Sequence, residues 1–281
     1  MRRPLLALLA LLAAPLSAQD APPTLSTFSI VACDPADGFL GVAVQSRVVG
    51  AGSIVPAAEA GVGAVASQAA ANITYKPRGL ALLKQGRTPE QVRDEFLRTD
   101  SLSARRQFAV MDAKCHVVAH TGSGTSAWAG HKVGRHYSAQ GNILAGPEVV
   151  EAMGKAFEEA EAEGRPFGER LLAALKAAQS AGGDRRGRQG AGLLIVKPGG
   201  GYGGGDDRYA DLRVEDHVEP ILELERVYKV WMTAFHPLDH FVPNGFEPIA
   251  APAGAHVCAL PAMLAREAHG GAPAPAAPGQ P

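Results

Sequence analysis

From Thr27 onward the chain sets short apolar runs between clusters of turn residues. Thr27-Phe28-Ser29-Ile30-Val31-Ala32 and Phe39 to Arg47 are strand-like, and Asp34-Pro35-Ala36-Asp37-Gly38 between them is a turn, so the two runs predict a β-hairpin. Gly61 to Gln68 predicts a third strand, rich in the glycine and alanine that let layers approach closely. Helical signals follow at Arg78 to Gln85, and Thr88-Pro89-Glu90 gives the N-cap and first turn of a helix reaching about Arg98. Gln107 to Asp112 and His116 to His120 flank Ala113-Lys114 and predict a second hairpin. Apolar residues three and four apart predict helices over Pro147 to Glu163 and Phe167 to Ala181. Ala191 to Val196 is a strand, Gly199 to Gly205 a hairpin connection, and Asp211 to Glu215 a short strand-like segment. The run Val218 to Phe235 predicts a last helix with Ile221, Leu224, Tyr228 and Trp231 on its apolar side. Strand pairs, then helices, then strands and a helix again indicate an α+β or layered sandwich fold rather than repeated βαβ units. The predicted core is one domain over 27–235, since no internal stretch is rich enough in Pro, Gly or Ser to divide it.

The ends have a different texture. Arg2 and Arg3 precede the apolar run Leu5 to Ala14, and Pro15 and Ser17-Ala18 follow, so residues 1–18 read as a secretory signal cleaved after Ala18. That run is shorter than the roughly 20 apolar residues a spanning helix needs, and no later segment is long and apolar enough to span. A periplasmic or secreted protein with no membrane contact after cleavage is expected. Residues 19–26 form an extended leader containing Pro22-Pro23, and residues 236–281 form an extension ending in a Pro/Ala-rich tail.

The formal net charge is −1, and loss of Arg2 and Arg3 with the signal makes it −3. The densest basic cluster, Arg185-Arg186-Gly187-Arg188, is short and follows Asp184, so nucleic acid is not an expected partner. Three cysteines, Cys33, Cys115 and Cys258, are too few for a disulfide framework. One bridge after export is open, but Cys33 and Cys115 read first as small buried hydrophobes in or beside strands. The close histidine pairs His116 with His120, His131 with His136, and His236 with His240 lack a third ligand, so neither a metal nor a cofactor is assigned.

Thr27-Phe28-Ser29-Ile30-Val31-Ala32, Gly41-Val42-Ala43-Val44-Gln45-Ser46, and Gly61-Val62-Gly63-Ala64-Val65-Ala66 with Gln68 resemble the opening of the domain of unknown function 1028 family. Further matches run in order through Gln140-Gly141-Asn142-Ile143-Leu144-Ala145-Gly146, Gly183-Asp184-Arg185-Arg186-Gly187-Arg188-Gln189, and Asp211-Leu212-Arg213-Val214 with Asp216-His217. The family is grouped with the N-terminal nucleophile hydrolases. The resemblance therefore implies a four-layer αββα sandwich of two antiparallel sheets, and hydrolysis of an amide bond by a threonine freed at the mature N-terminus. Thr27 matches that nucleophile. The leader 19–26 departs from the family pattern, because a second cut between Ser26 and Thr27 is needed to free the amine.

On this reading the Thr27 hydroxyl attacks the amide carbonyl and its own α-amine, with a pKa of roughly 7.7 to 8.0, takes the proton. Asn142 and Asn72 are candidate oxyanion donors, and Ser46 a proton relay beside Thr27. Arg47 and Gln68, each ending a predicted strand, are placed at the substrate. Asp184 and Arg188 bracket a turn and either bind a substrate carboxylate or pair with each other. Asp211 and Arg213 read as a salt-bridged strand edge. The expected partner is a small-molecule or peptide amide, with a homo-oligomer left open by the alanine-rich helices. The alternative is a non-catalytic binding protein on the same fold, because a fold does not fix a function.

Overall fold

The computed structural model describes residues 27–234; the signal, leader and tail readings lie outside the described residues. The predicted first hairpin forms β1 (Thr27–Asp34) and β2 (Phe39–Ser46), paired antiparallel from Thr27 opposite Ser46 to Asp34 opposite Phe39. Its turn closes with the Gly38 N–H on the Asp34 carbonyl at 2.9 Å and the Ala36 N–H on Asp34 Oδ1 at 3.0 Å. Gly38 sits at φ +73°, where a Cβ would be strained, which explains the glycine there.

The described elements continue as α1 (Ala51–Ile54), β3 (Pro56–Glu59), β4 (Gly63–Ala69), α2 (Tyr75–Lys84), α3 (Pro89–Thr99), β5 (Arg106–Asp112) and β6 (Val117–Thr121). After these come β7 (Gly130–Val133), β8 (Tyr137–Asn142), α4 (Glu148–Ala162), α5 (Phe167–Ser180), β9 (Gly190–Val196), β10 (Ala210–Val214) and α6 (Pro220–Ala234). The α3 start is set as its sequence predicts: Thr88 accepts the Gln91 N–H, the Gln91 side chain returns to the Thr88 N–H, and Pro89 occupies the first turn. Gly199 to Gly205 joins β9 to β10 as expected of a hairpin connection.

Among the described residues the strands make two antiparallel sheets, ordered β10-β9-β2-β1-β8-β7 and β3-β4-β5-β6, and six helices complete an α+β fold. Side-chain direction alternates along each strand, so one strand serves two cores. Phe28, Ile30 and Ala32 of β1 pack with Met153 and Phe157 of α4, Leu171 and Leu175 of α5, and Leu224 and Tyr228 of α6. Val31 and Cys33 face the other way and join Val42 and Val44 of β2, Ala64 and Ala66 of β4, and Ala109 and Met111 of β5 between the sheets. A third core sets Val65, Phe108 and Val110 of the four-stranded sheet against Tyr75 and Leu83 of α2 and Val92 and Phe96 of α3. Each large side chain buried in these cores adds about 1.5–3 kcal/mol of hydrophobic stabilisation.

Cys33 and Cys115 form a disulfide, which corrects their reading as buried hydrophobes alone. The bridge joins the end of β1 to the turn between β5 and β6, and so ties one sheet to the other. The salt-bridged edge expected at β10 is present: Arg213 Nε lies 2.9 Å from Asp211 Oδ1 and Arg208 Nη1 3.3 Å from Asp211 Oδ2. Among the described residues no helix is long and apolar enough to cross a membrane.

Candidate active site

The inter-sheet face changes from apolar to polar along each central strand. Two residues beyond Val31 on β1 comes Ser29, and two further comes Thr27; two beyond Val44 on β2 comes Ser46. On β8, Tyr137 and Ala139 face the helices, so Ser138, Gln140 and Asn142 point between the sheets. Across the gap, Gln68 of β4 and Gln107 of β5 lie opposite each other and continue the faces of Ala66 and Ala109. All of these polar side chains are fully buried.

Buried amides and hydroxyls must be hydrogen-bonded to be tolerated, and these bond mainly to one another. Ser29 Oγ donates to Gln68 Oε1 at 2.6 Å, and Gln68 Nε2 donates to Gln107 Oε1 at 2.8 Å. Asn142 Nδ2 donates to the same Gln107 Oε1 at 3.1 Å. Gln107 Nε2 in turn reaches the Gly141 carbonyl at 2.8 Å and Thr121 Oγ1 at 2.9 Å. Gln140 Nε2 donates to Ser29 Oγ at 2.7 Å, and Gln140 Oε1 accepts from Ser138 Oγ at 2.8 Å.

This network holds Thr27 from below. Gln68 Nε2 donates to the Thr27 carbonyl at 3.4 Å, while the Thr27 hydroxyl donates to Ser46 Oγ at 3.2 Å. Thr27 is paired in register with Ser46 on one side and Asn142 on the other. The structure thus brings together Thr27, Ser46, Asn142 and Gln68, all four named from the sequence. Among the described residues no carboxylate, imidazole or ammonium bonds the Thr27 hydroxyl. Asn142 lies in a strand rather than a turn, and the chain leaves it through Ile143 at φ +53°. A β-branched residue in that region stores about 1–3 kcal/mol of strain. The Ile143 N–H on the Ser126 carbonyl and the Arg185 N–H on the Ile143 carbonyl hold it there.

The remaining candidates separate. Asp184 is 3% exposed and accepts the backbone N–H of Arg47 at 3.1 Å, the backbone N–H of Arg186 at 2.9 Å, and the Arg186 guanidinium. It fastens the end of β2 to the turn after α5. Arg188 does not pair with Asp184; it pairs with Glu219. Arg47 and Arg188 instead line, with Arg186, Asp216 and His217, an open cavity of about 740 Å³. Asn72 belongs to another cluster, donating to Asp100 Oδ2 at 3.0 Å and accepting the Thr74 N–H at 3.1 Å. Tyr75 Oη at 2.9 Å and Arg106 Nε at 2.9 Å complete the bonds to the same Asp100 oxygen. Burial pushes the Asp100 carboxyl up, but the hydrogen bonds from Arg106, Asn72, Leu102 and Tyr75 outweigh it and hold Asp100 well below the usual carboxylate range. Burial, then the Asp100 carboxylate, pushes the Tyr75 hydroxyl well above its ordinary value. Asn72 is therefore spent on positioning the start of α2 and is not brought to the row of Thr27.

Ser29, Gln107 and Gln140 were not singled out from the sequence as site residues. Ser29 carried a usable signal, since it shares a strand face with Thr27 two residues away, and Gln140 stands two residues before Asn142 on β8.

The model of a family of unknown function, DUF1028, matches residues 27–224. Among solved structures, the crystal structure of protein SPO2555 from Silicibacter pomeroyi, which carries the same family model, is similar to this chain. It is 33% identical, with a TM-score of 0.67 over 74% of this chain and 87% of that one. No curated protein matches the chain.

Proposed function

The chain belongs to the family of unknown function DUF1028, and we propose that it is an exported amidohydrolase whose nucleophile is Thr27, freed at the N-terminus of the mature protein. The observation that carries this reading is the row Ser46, Thr27, Asn142, set in register across three strands and backed by a network of neutral amides. A hydroxyl needs a base to attack a carbonyl. With no ionisable side chain bonded to it among the described residues, the base nearest in chemistry is the α-amine of Thr27 itself. While Ser26 is attached that amine is an amide, and Thr27 is fully buried, so the uncut chain has neither base nor access.

In the proposed cycle the Thr27 Oγ1–H bond gives its proton to the free amine as the oxygen attacks the substrate carbonyl. Ser46 Oγ, 3.2 Å from Thr27 Oγ1, holds that oxygen in place, its own hydroxyl turning to donate to it once the Thr27 proton points to the amine. Asn142, across β8 at the register of Thr27, supplies an amide donor to the oxyanion, and Gln107 keeps that amide turned. The protonated amine then protonates the leaving nitrogen, and water releases the acyl group from Thr27. The reading takes the two sheets, with helices packed outside both, as the αββα sandwich of the N-terminal nucleophile hydrolases; the order of the three cores supports it. The disulfide supports export, since such bridges persist in oxidising compartments.

The test is turnover of a panel of small amides, cyclic amides and peptides by the exported protein and its variants. Thr27→Ala is expected to lose hydrolysis without loss of fold, and Thr27→Ser to keep part of it. Equal turnover by Thr27→Ala removes the nucleophile from the account, and a wild-type protein that hydrolyses nothing but binds amides favours the binding-protein alternative.

A further inference from the structure

The cavity beside Arg47 is lined by three arginines and one aspartate, and the arginines are not equivalent. Arg186 is bonded to Asp184 and Arg188 to Glu219, so both charges are matched within the protein. Among the described residues, Arg47 has no carboxylate partner; its Nη1 donates only to the neutral Gln189 Oε1, at 3.3 Å. Gln189 Nε2 makes an equally long bond of 3.4 Å to Asp216 Oδ1, so the glutamine side chain spans two opposite charges at an exposed site. A ligand that offers Arg47 a shorter, charge-assisted pair displaces it at little expense.

The position of Arg47 is fixed independently of its side chain. Its backbone N–H is held by the buried Asp184, and it directly follows Ser46, whose hydroxyl accepts the Thr27 hydroxyl. Gly187, whose φ of +112° suits glycine, sits beside the Arg47 stem, where a Cβ would be in ordinary contact at 3.7 Å from Arg47 Cδ and Nε. Arg47 therefore lines the cavity at the position next in sequence to Ser46 of the proposed reacting row. We infer that the cavity around Arg47 binds a carboxylate of the substrate, so that the amides cleaved carry a free carboxylate close to the scissile bond. The inference rests on the proposed use of Thr27. A planar monoanion suits the fork of Arg47, whereas the negative charge of Asp216 in the same wall disfavours a doubly charged phosphate.

Calorimetric titration of the full exported protein with N-acetylglycine and with its neutral methylamide reads the site directly. The carboxylate probe should bind at least about tenfold more tightly than the methylamide. Arg47→Ala should erase that preference, the carboxylate affinity falling to that of the methylamide, and Arg47→Lys should keep part of it, the backbone anchor on Asp184 surviving in both. Equal affinity for the two probes, no binding of either, or an undiminished preference in Arg47→Ala overturns the inference. Hydrolysis assayed on the same samples separates the two readings. An Arg47-dependent preference in a protein that cleaves no amide supports the anion site and removes the hydrolase, while turnover without the preference does the reverse.

Discussion

Joining the two sheets through Cys33 and Cys115 should contribute a large share of the stability of this fold, and removing the bridge gives a sharp forecast. The cysteines are separated by 82 residues, and both are buried at the apolar end of the inter-sheet core. In the chain-entropy description, a cross-link closing a loop of that length removes about 15 cal/mol/K from the unfolded ensemble, or about 4.5 kcal/mol at 25 °C. Alanine at both positions keeps a small apolar side chain in the inter-sheet core, so the packing lost in the folded state should be small beside the entropy term. For a described domain spanning residues 27–234, an unfolding entropy of about 2.1 cal/mol/K per residue converts that loss into a fall in Tm of roughly 10 °C. The assay is calorimetric or circular-dichroism melting of the wild type and of the Cys33→Ala, Cys115→Ala double variant, each with and without reductant. Reductant should lower the wild-type Tm towards that of the double variant and leave the variant where it is. The urea m-value should rise in the variant, because its unfolded chain is less constrained. A double variant melting within about 2 °C of the oxidised wild type would refute the entropy argument. A protein that exposes all three thiols when denatured without reductant would refute the bridge.

Two further predictions concern polar burial. Gln68→Leu leaves the hydroxyl of Ser29 and the amide oxygen of Gln107 short of a partner inside the protein, so urea unfolding should show a loss of about 2–3 kcal/mol, with any amide turnover falling as Thr27 loses its support. The Asp100 carboxyl is held below its unfolded value by Arg106, Asn72 and Tyr75. Its contribution is therefore present in full above the unfolded pKa of about 3.9 and is lost as the pH falls below that value towards the depressed folded pKa. Denaturation measured against pH should show Asp100→Asn much less stable than the wild type at pH 7, the gap closing in acid; a gap independent of pH counts against the Asp100 assignment.

The hairpin of β1 and β2 was legible because its sequence marks both strands and the turn that Asp34 and Gly38 close. The capping box at Thr88 was equally plain. β8, which completes the site, was not read as a strand from its sequence Tyr-Ser-Ala-Gln-Gly-Asn. Its inter-sheet face is Ser138, Gln140 and Asn142, so the strand is buried on both faces while lacking the apolar signal that marks burial. Short β3 and β7 sit at sheet edges and carry little pattern to read. The same logic governs the site: Thr27, Ser46, Asn142 and Gln68 were named, but Gln107 and Gln140 become meaningful only when the second sheet lies across from the first. The choice of Cys33 and Cys115 among three cysteines likewise depends on a contact across 82 residues that no local pattern encodes. Asp184 and Arg188, four residues apart in sequence, take different partners: Asp184 pairs with Arg186, and Arg188 with Glu219 just before α6.

Intact-mass measurement with N-terminal sequencing, carried out on the fraction of expressed protein found to turn over an amide, tests the proposed role of Thr27 most directly. The account predicts that the active species begins at Thr27, its amine free. Active protein that begins at Gln19, or anywhere else ahead of Thr27, would contradict it.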